Sequence, residues 1–107
     1  MPQDLIIGEA VLYPREQAVG LIYAVYERGA HERPGVQLLL SDGRDLSGFS
    51  AEEADQFLQA VGHTGLKYEF RHVGQLHADY QRGVFAQAFA TARLLAGFRE
   101  INYLQSQ

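Results

Sequence analysis

Residues 18–27 read AVGLIYAVYE and carry the strongest strand signal in this 107-residue chain. Successive side chains of a strand point to opposite faces, and here both faces are apolar. One face carries Val19, Leu21, Tyr23 and Val25, and the other carries Ala18, Ile22, Ala24 and Tyr26. The pattern predicts either a central strand covered on both sides or a strand at a dimer interface.

The neighbouring strands are predicted from the turn residues that bound them. Residues 14–17, Pro-Arg-Glu-Gln, form a polar turn, and Arg28–Gly35 forms an exposed loop. Asp42-Gly43 is a strong hairpin signal between two apolar runs. The strands predicted from these signals are Leu5–Tyr13, Val36–Leu40 and Asp45–Phe49. The first of them is either continuous or interrupted at Gly8.

A helix is predicted to begin directly after the last of these strands. Ser50 and Glu53 have the spacing of a capping box, in which each side chain binds the other residue's free backbone N–H. The residues that follow place an apolar stripe at helical spacing: Ala54, Phe57, Leu58 and Val61. Gly62 is then the expected C-terminal cap.

The second half of the chain predicts one more strand and a helical end. Leu66–Val73 alternates cleanly, with Leu66, Tyr68, Phe70 and His72 on the apolar face. A short helix is predicted over Gln75–Arg82, ended by Gly83, and a strong helix over Val84–Ala96. Residues 98–104 are predicted either to continue that helix or to form a last short strand, and we favour the continuation.

These elements predict an α+β fold. Strands joined by short hairpins favour an antiparallel sheet of about five strands, and we expect two to three helices packed on one face. The length fits a single domain over residues 1–107.

Composition excludes several classes of protein. The chain has no Cys, so disulfides, thiol catalysis and Cys-type zinc sites are excluded. Its net charge is −4, and residues 1–53 alone carry four Arg against nine acidic residues, a balance of −5. Without a basic patch, the sequence argues against a nucleic-acid partner. It offers no export signal and no apolar run long enough for a membrane span, so we expect a cytoplasmic protein.

The motifs point to neither a metal nor a cofactor. The four histidines, His31, His63, His72 and His77, include no pair at i, i+4 and no His-Glu-x-x-His. The chain also lacks a Gly-rich phosphate-binding loop. We therefore predict neither a metal site nor a cofactor.

The segment from His72 to Arg82 holds the candidate functional residues, except for Tyr68, which precedes it. His72 or His77 could act as a general base oriented by Asp79. The candidates for ligand binding are Tyr80, Arg82 and Tyr68, with Arg82 holding an anionic substrate. The structural alternative is that His72 ends its strand, Asp79 and Arg82 form a surface ion pair, and Tyr80 anchors the short helix to the core.

Three hypotheses about function follow. The leading one is a non-catalytic binding or regulatory module that forms a homodimer or binds a protein partner, because Val84–Ala96 and the two-faced strand hold more apolar surface than a small domain needs. The second is a small acid–base enzyme using His72 or His77 with Asp79. The third is a carrier of a small apolar ligand, in a pocket lined by Tyr13, Tyr23, Tyr26, Tyr68 and Tyr103.

Overall fold

The structure, a computed structural model, describes residues 5–26 and 35–105, with the backbone alone for Ser47 and residues 98–105. The predicted loop at Arg28–Gly35, apart from Gly35, lies outside the described residues. Within them the chain forms five strands and three α-helices. In chain order they are β1 (Glu9–Tyr13), β2 (Ala18–Tyr26), β3 (Gly35–Leu40), β4 (Asp45–Ser50), α1 (Ala51–Phe57), β5 (Gln59–His63), α2 (Val73–Gln81) and α3 (Ala86–Gln105).

The strands form one antiparallel sheet in the order β4-β3-β2-β1-β5. The predicted polar turn joins β1 to β2 as a 3-10 turn, Pro14–Glu16. The Asp42-Gly43 turn joins β3 to β4, and the Gly43 N–H donates to the Leu40 carbonyl at 2.9 Å. The predicted α+β class and five-stranded antiparallel sheet are confirmed.

β2 is the central strand, and both of its faces are covered within the chain from Val19 to Ala24, whereas Val25 and Tyr26 are exposed. The first face of the sheet, which carries Leu12, Leu21, Tyr23 and Leu39, lies under apolar residues of α2 and α3. The second face carries Val11, Ile22, Leu38 and Leu40 and lies under α1. Ile22 and Tyr23 are therefore almost inaccessible to solvent. Of the two predicted explanations for this strand, burial in its own domain is the one observed.

The helices are divided between the two faces, which differs from the expected packing on one face. Ala54 of α1 belongs to the cluster on the second face, whereas Ala88 and Phe89 of α3 belong to the cluster on the first. Ser50 is both the last residue of β4 and the N-cap of α1, and the predicted capping box is present, with both bonds at 3.1 Å. No linker separates strand and helix, so α1 packs beside β4 and β3 on the face where Phe49 points.

The predicted extension of α1 to a Gly62 cap is wrong. The helix ends at Phe57, Leu58 has extended dihedral angles, and residues 59–63 form β5. β5 pairs with β1, which would otherwise present an unpaired edge. Val61 packs on the first face and not with Ala54 on the second. Pairing with β1 is therefore favoured over the helix that the spacing of the apolar residues predicted.

The predicted strand Leu66–Val73 is also wrong as a sheet element, although its alternation is real. Leu66, Tyr68 and Phe70 pack onto the first face, while the side chains between them are exposed. The segment 66–72 joins no ladder of the described sheet, because it lies over a face and not along an edge. His72 is exposed and is the N-cap of α2, not a residue on an apolar strand face.

The helical end of the chain agrees with the sequence. α2 covers nearly the whole predicted segment, and Gly83, with φ of +85°, separates it from α3. The backbone of α3 is helical through residues 98–104, as expected. Among the described residues, no helix is long and apolar enough to cross a lipid bilayer.

Candidate functional site

Asp79 is the one charged residue buried among the described side chains, with 8% of its surface exposed. The Tyr68 hydroxyl donates to Oδ2 at 2.7 Å, and Gln75 Nε2 donates to the same oxygen at 3.2 Å. Arg82 Nη2 donates to Oδ1 at 2.8 Å. A buried carboxylate is costly unless hydrogen-bonded, and these donors supply the compensation.

The sequence brings these groups together through simple local geometry. Gln75, Asp79 and Arg82 follow one another at i+4 and i+3, which places them on one side of α2. His72 sets the start of the helix, since its Nδ1 accepts from the Gln75 N–H at 3.0 Å. Tyr68 reaches Asp79 because the alternation of segment 66–72 turns its side chain inward.

Burial raises the pKa of the Tyr68 hydroxyl, and its hydrogen bond to the Asp79 carboxylate raises it further. Burial also raises the pKa of Tyr23 on the same face, with the Asp45 carboxylate as the next cause. Both shifts favour the neutral phenol in the folded state.

Alkaline pH is therefore expected to destabilise the fold. A tyrosine with a raised folded-state pKa keeps its stabilising contribution below its ordinary pKa of about 10 and loses it as the pH rises above that value. Each of the two tyrosines can contribute up to about 1.4 kcal/mol per pH unit to this loss. Urea denaturation between about pH 9 and about pH 11 should show a shallower pH dependence for Tyr68→Phe than for wild type. Identical pH dependence in the two proteins would contradict this assignment.

A polar groove of about 560 Å³ runs between segment 66–72 and α2. Its walls carry three cations and two carboxylates, a balance of +1: Lys67, Arg71, Arg82, Glu69 and Asp79. The two carboxylates already have partners, because Arg82 binds Asp79 and Arg71 lies 3.8 Å from Glu69. The groove is thus locally positive in a chain whose net charge is −4.

Gln75 connects the two walls of the groove. Its Oε1 accepts from the Arg71 N–H at 2.7 Å, and its Nε2 donates to the Glu69 carbonyl at 3.1 Å. One side-chain amide therefore satisfies backbone groups two residues apart along segment 66–72. These bonds hold the segment beside α2 without a neighbouring strand.

The structure does not bring either candidate histidine to Asp79. His72 caps α2, and His77 Nε2 lies 3.3 Å from Asp45 Oδ1 on β4. Tyr80 donates to the Ser41 carbonyl at 2.7 Å and packs against Phe89, as expected of a residue that anchors α2. Of the six predicted site residues, Tyr68, Asp79 and Arg82 meet in the groove.

Lys67, Arg71 and Gln75 are among the groove residues that the sequence did not identify as site residues. The exposed positions of Lys67 and Arg71 in an alternating segment are a signal only of a solvated strand face. Gln75 had no comparable signal, since a glutamine in the first turn of a helix is ordinary. Its role depends on where segment 66–72 lies relative to α2.

Three of the tyrosines predicted to line an apolar pocket, Tyr13, Tyr23 and Tyr68, lie on different faces of the sheet. Tyr13 packs against Phe49 on the second face, with ring centroids 5.9 Å apart. Tyr23 packs against Phe70 and Tyr68 against Phe85, both on the first face. The side chain of Tyr103 lies outside the described residues. The sheet therefore separates Tyr13 from Tyr23 and Tyr68.

Neither metal binding nor homology assigns a role to the groove. Within residues 5–26 and 35–97, no three side chains of the types that bind metals come together. Comparison with protein-family models, curated proteins and solved structures finds no match for this chain.

Proposed function

We propose that this protein is a non-catalytic binding module whose groove beside α2 takes an anionic ligand. The observation that carries the proposal is the hydrogen bonding of Asp79. Its carboxylate accepts from Tyr68, Gln75 and Arg82, so it is engaged in holding the groove together. The groups of the groove that remain available to a ligand carry a net positive charge.

Arg71 and Lys67 are the groups best suited to meet that ligand. The Arg71 side chain is 70% exposed, and its ion pair with the 81% exposed Glu69 is long, at 3.8 Å. An exposed pair of this kind contributes little stability, so Arg71 is available to a competing anion. A guanidinium binds carboxylate or phosphate oxygens through two parallel N–H bonds, which favours this class of ligand.

The acid–base alternative has less support. A general base needs a partner that orients it and a place for substrate beside it. His72 accepts the Gln75 N–H, and His77 is paired with Asp45, away from the groove lining. These contacts favour structural roles for both histidines.

Arg71→Gln is expected to weaken anion binding about tenfold, because a charge-assisted hydrogen-bonded pair is lost. The probe is glutarate, a dicarboxylate, titrated to millimolar concentration while backbone amide resonances are followed by NMR. In wild type, shifts are expected at residues 67–71 and at Gln75. The control is Arg93→Gln, which removes an exposed cation of α3 that does not line the groove. Equal binding by the two variants, or no shifts at these residues in wild type, would contradict the proposal.

Self-association through α3 is a second candidate, favoured by one observation. Leu94 is 78% exposed in the interior of a 20-residue helix. Ala90, one turn earlier, is also exposed, and its small side chain would permit close approach of a second helix. A second copy of this chain, related by a twofold axis, would bury Leu94 of both copies.

Leu94→Arg is expected to raise the dissociation constant of such a dimer by about 100-fold or more, since each copy loses a buried leucine. Light scattering at micromolar concentration measures this directly. Gln56→Arg adds the same charge to an exposed position of α1, on the other face of the sheet from α3, and should leave the mass unchanged. A wild-type protein that is monomeric at submillimolar concentration would exclude the dimer.

A further inference from the structure

We infer that the ligand of the groove is an extended acidic peptide that pairs, as an added strand, with the unpaired backbone groups of Lys67 and Glu69. The inference rests on the proposed anion-binding function of the groove and specifies the class of ligand. Three features support it: the backbone of segment 66–72, the bonds made by Gln75 and the charges on the exposed side of the segment.

The backbone of the segment is extended and largely unpaired. Side chains at 66, 68 and 70 are partly buried on the first face, and those at 67, 69 and 71 are exposed, as in a strand. Among the hydrogen bonds of the described residues, none is donated by the backbone N–H groups of residues 67–70. Unpaired N–H and C=O groups along an extended segment form a template for a further strand.

Gln75 shows which edge of the segment faces the groove, and it occupies that edge at the Glu69 carbonyl and the Arg71 N–H, so a partner strand has the part before them. Its amide bonds the carbonyl of Glu69 and the N–H of Arg71, as the backbone of a single residue in a neighbouring parallel strand would. In an extended chain, the N–H and C=O groups of alternate residues lie on the same edge. The backbone groups of Lys67 and the N–H of Glu69 therefore point to the same side as these bonds, toward the groove.

The charges specify an acidic peptide. Lys67, Glu69 and Arg71 share the exposed face of the segment, so residues opposite them on an added strand would lie beside them. Opposite charges in such pairs are favourable, and like charges are not. An acidic residue is therefore favoured opposite Lys67 and a neutral residue opposite Glu69, and the charge of Arg71 favours a second acidic residue beyond the paired positions.

The test uses the full-length protein and the peptide acetyl-Glu-Val-Thr-Val-Glu-amide, with affinity measured by calorimetry. Two N-methylated versions of it provide the matched comparison. One is methylated at the amides of residues 1, 3 and 5 and the other at those of residues 2 and 4. Because alternate amides point to opposite edges, one version should bind about tenfold more weakly than the other. Replacing both glutamates by glutamine should also weaken binding about tenfold.

The outcomes separate this inference from the function on which it rests. Equal affinity of the two methylated peptides, with glutarate still binding at Arg71, would overturn strand addition and leave the anion site standing. Glutarate binding as tightly as the parent peptide would overturn the peptide as the preferred ligand. If neither glutarate nor the peptide shifts the amide resonances of residues 67–71, the proposed function fails and the inference fails with it.

Discussion

Replacing Gly8 with alanine is expected to lower the free energy of unfolding by about 3 kcal/mol, combining backbone strain with a steric clash. Gly8 has φ of +94°, in the left-handed region that glycine adopts without cost. An added Cβ would lie 2.5 Å from the carbonyl oxygen of Leu66, the first residue of segment 66–72.

The backbone around Gly8 has little freedom to relieve that clash. The Gly8 N–H donates to the Ile22 carbonyl at 2.9 Å, and its own carbonyl accepts from the Thr64 N–H at 2.9 Å. The Thr64 hydroxyl donates to the same carbonyl at 2.7 Å. Moving Gly8 away from Leu66 would stretch these bonds, which join β1 to β2 and to the segment after β5.

Gly65→Ala is the matched control for this substitution. Gly65 has φ of +83°, but no atom lies within 4 Å of its added Cβ. Gly65→Ala should therefore lower the free energy of unfolding only through backbone strain, by about 1 kcal/mol. Urea denaturation of both variants measures the difference. If the two losses are equal, the contact with Leu66 contributes nothing and the account of Gly8 is wrong.

Asp79→Ala is expected to cost about 2 to 3 kcal/mol, because hydrogen bonds to a buried charged group are worth more than neutral ones. The substitution leaves the Tyr68 hydroxyl without its acceptor and Gln75 with one bond fewer. Both residues line the groove, so the groove should loosen together with the fold.

Arg82→Ala removes the other side of the same ion pair and should cost far less. The Arg82 side chain is 72% exposed, and exposed ion pairs contribute about 1 kcal/mol or less. Chemical denaturation should therefore give a clearly larger free energy of unfolding for Arg82→Ala than for Asp79→Ala. The reverse order would mean that the ion pair, and not the bonds from Tyr68 and Gln75, accounts for the contribution of Asp79.

The parts of the fold predicted from sequence are those set by near neighbours. The two-faced pattern of β2 indicated a central strand, and Asp42-Gly43 indicated the β3–β4 hairpin. Ser50 and Glu53 identified the start of α1 through bonds between residues three positions apart. Each of these signals acts within one turn of helix or one hairpin.

The site was predicted only in part, for the same reason. Asp79 and Arg82 are three residues apart on α2, so their pairing follows from helical spacing. His77 is the opposite case, since its partner Asp45 precedes it by 32 residues and lies on a strand. Sequence spacing placed His77 close to Asp79, while the direction of its side chain was set by where α2 packs.

The sequence by itself determined the class of fold, the central strand, the turn between β3 and β4 and the N-cap of α1, because periodicity and turn chemistry act locally. Only the tertiary structure decided that residues 59–63 form a strand, since the edge of β1 supplies their hydrogen-bond partners. It also decided that segment 66–72 lies over the first face of the sheet beside α2. A segment of alternating apolar residues can bury them either as an edge strand of a sheet or by lying over the face of a sheet. Which of the two occurs depends on contacts with residues that are distant in sequence.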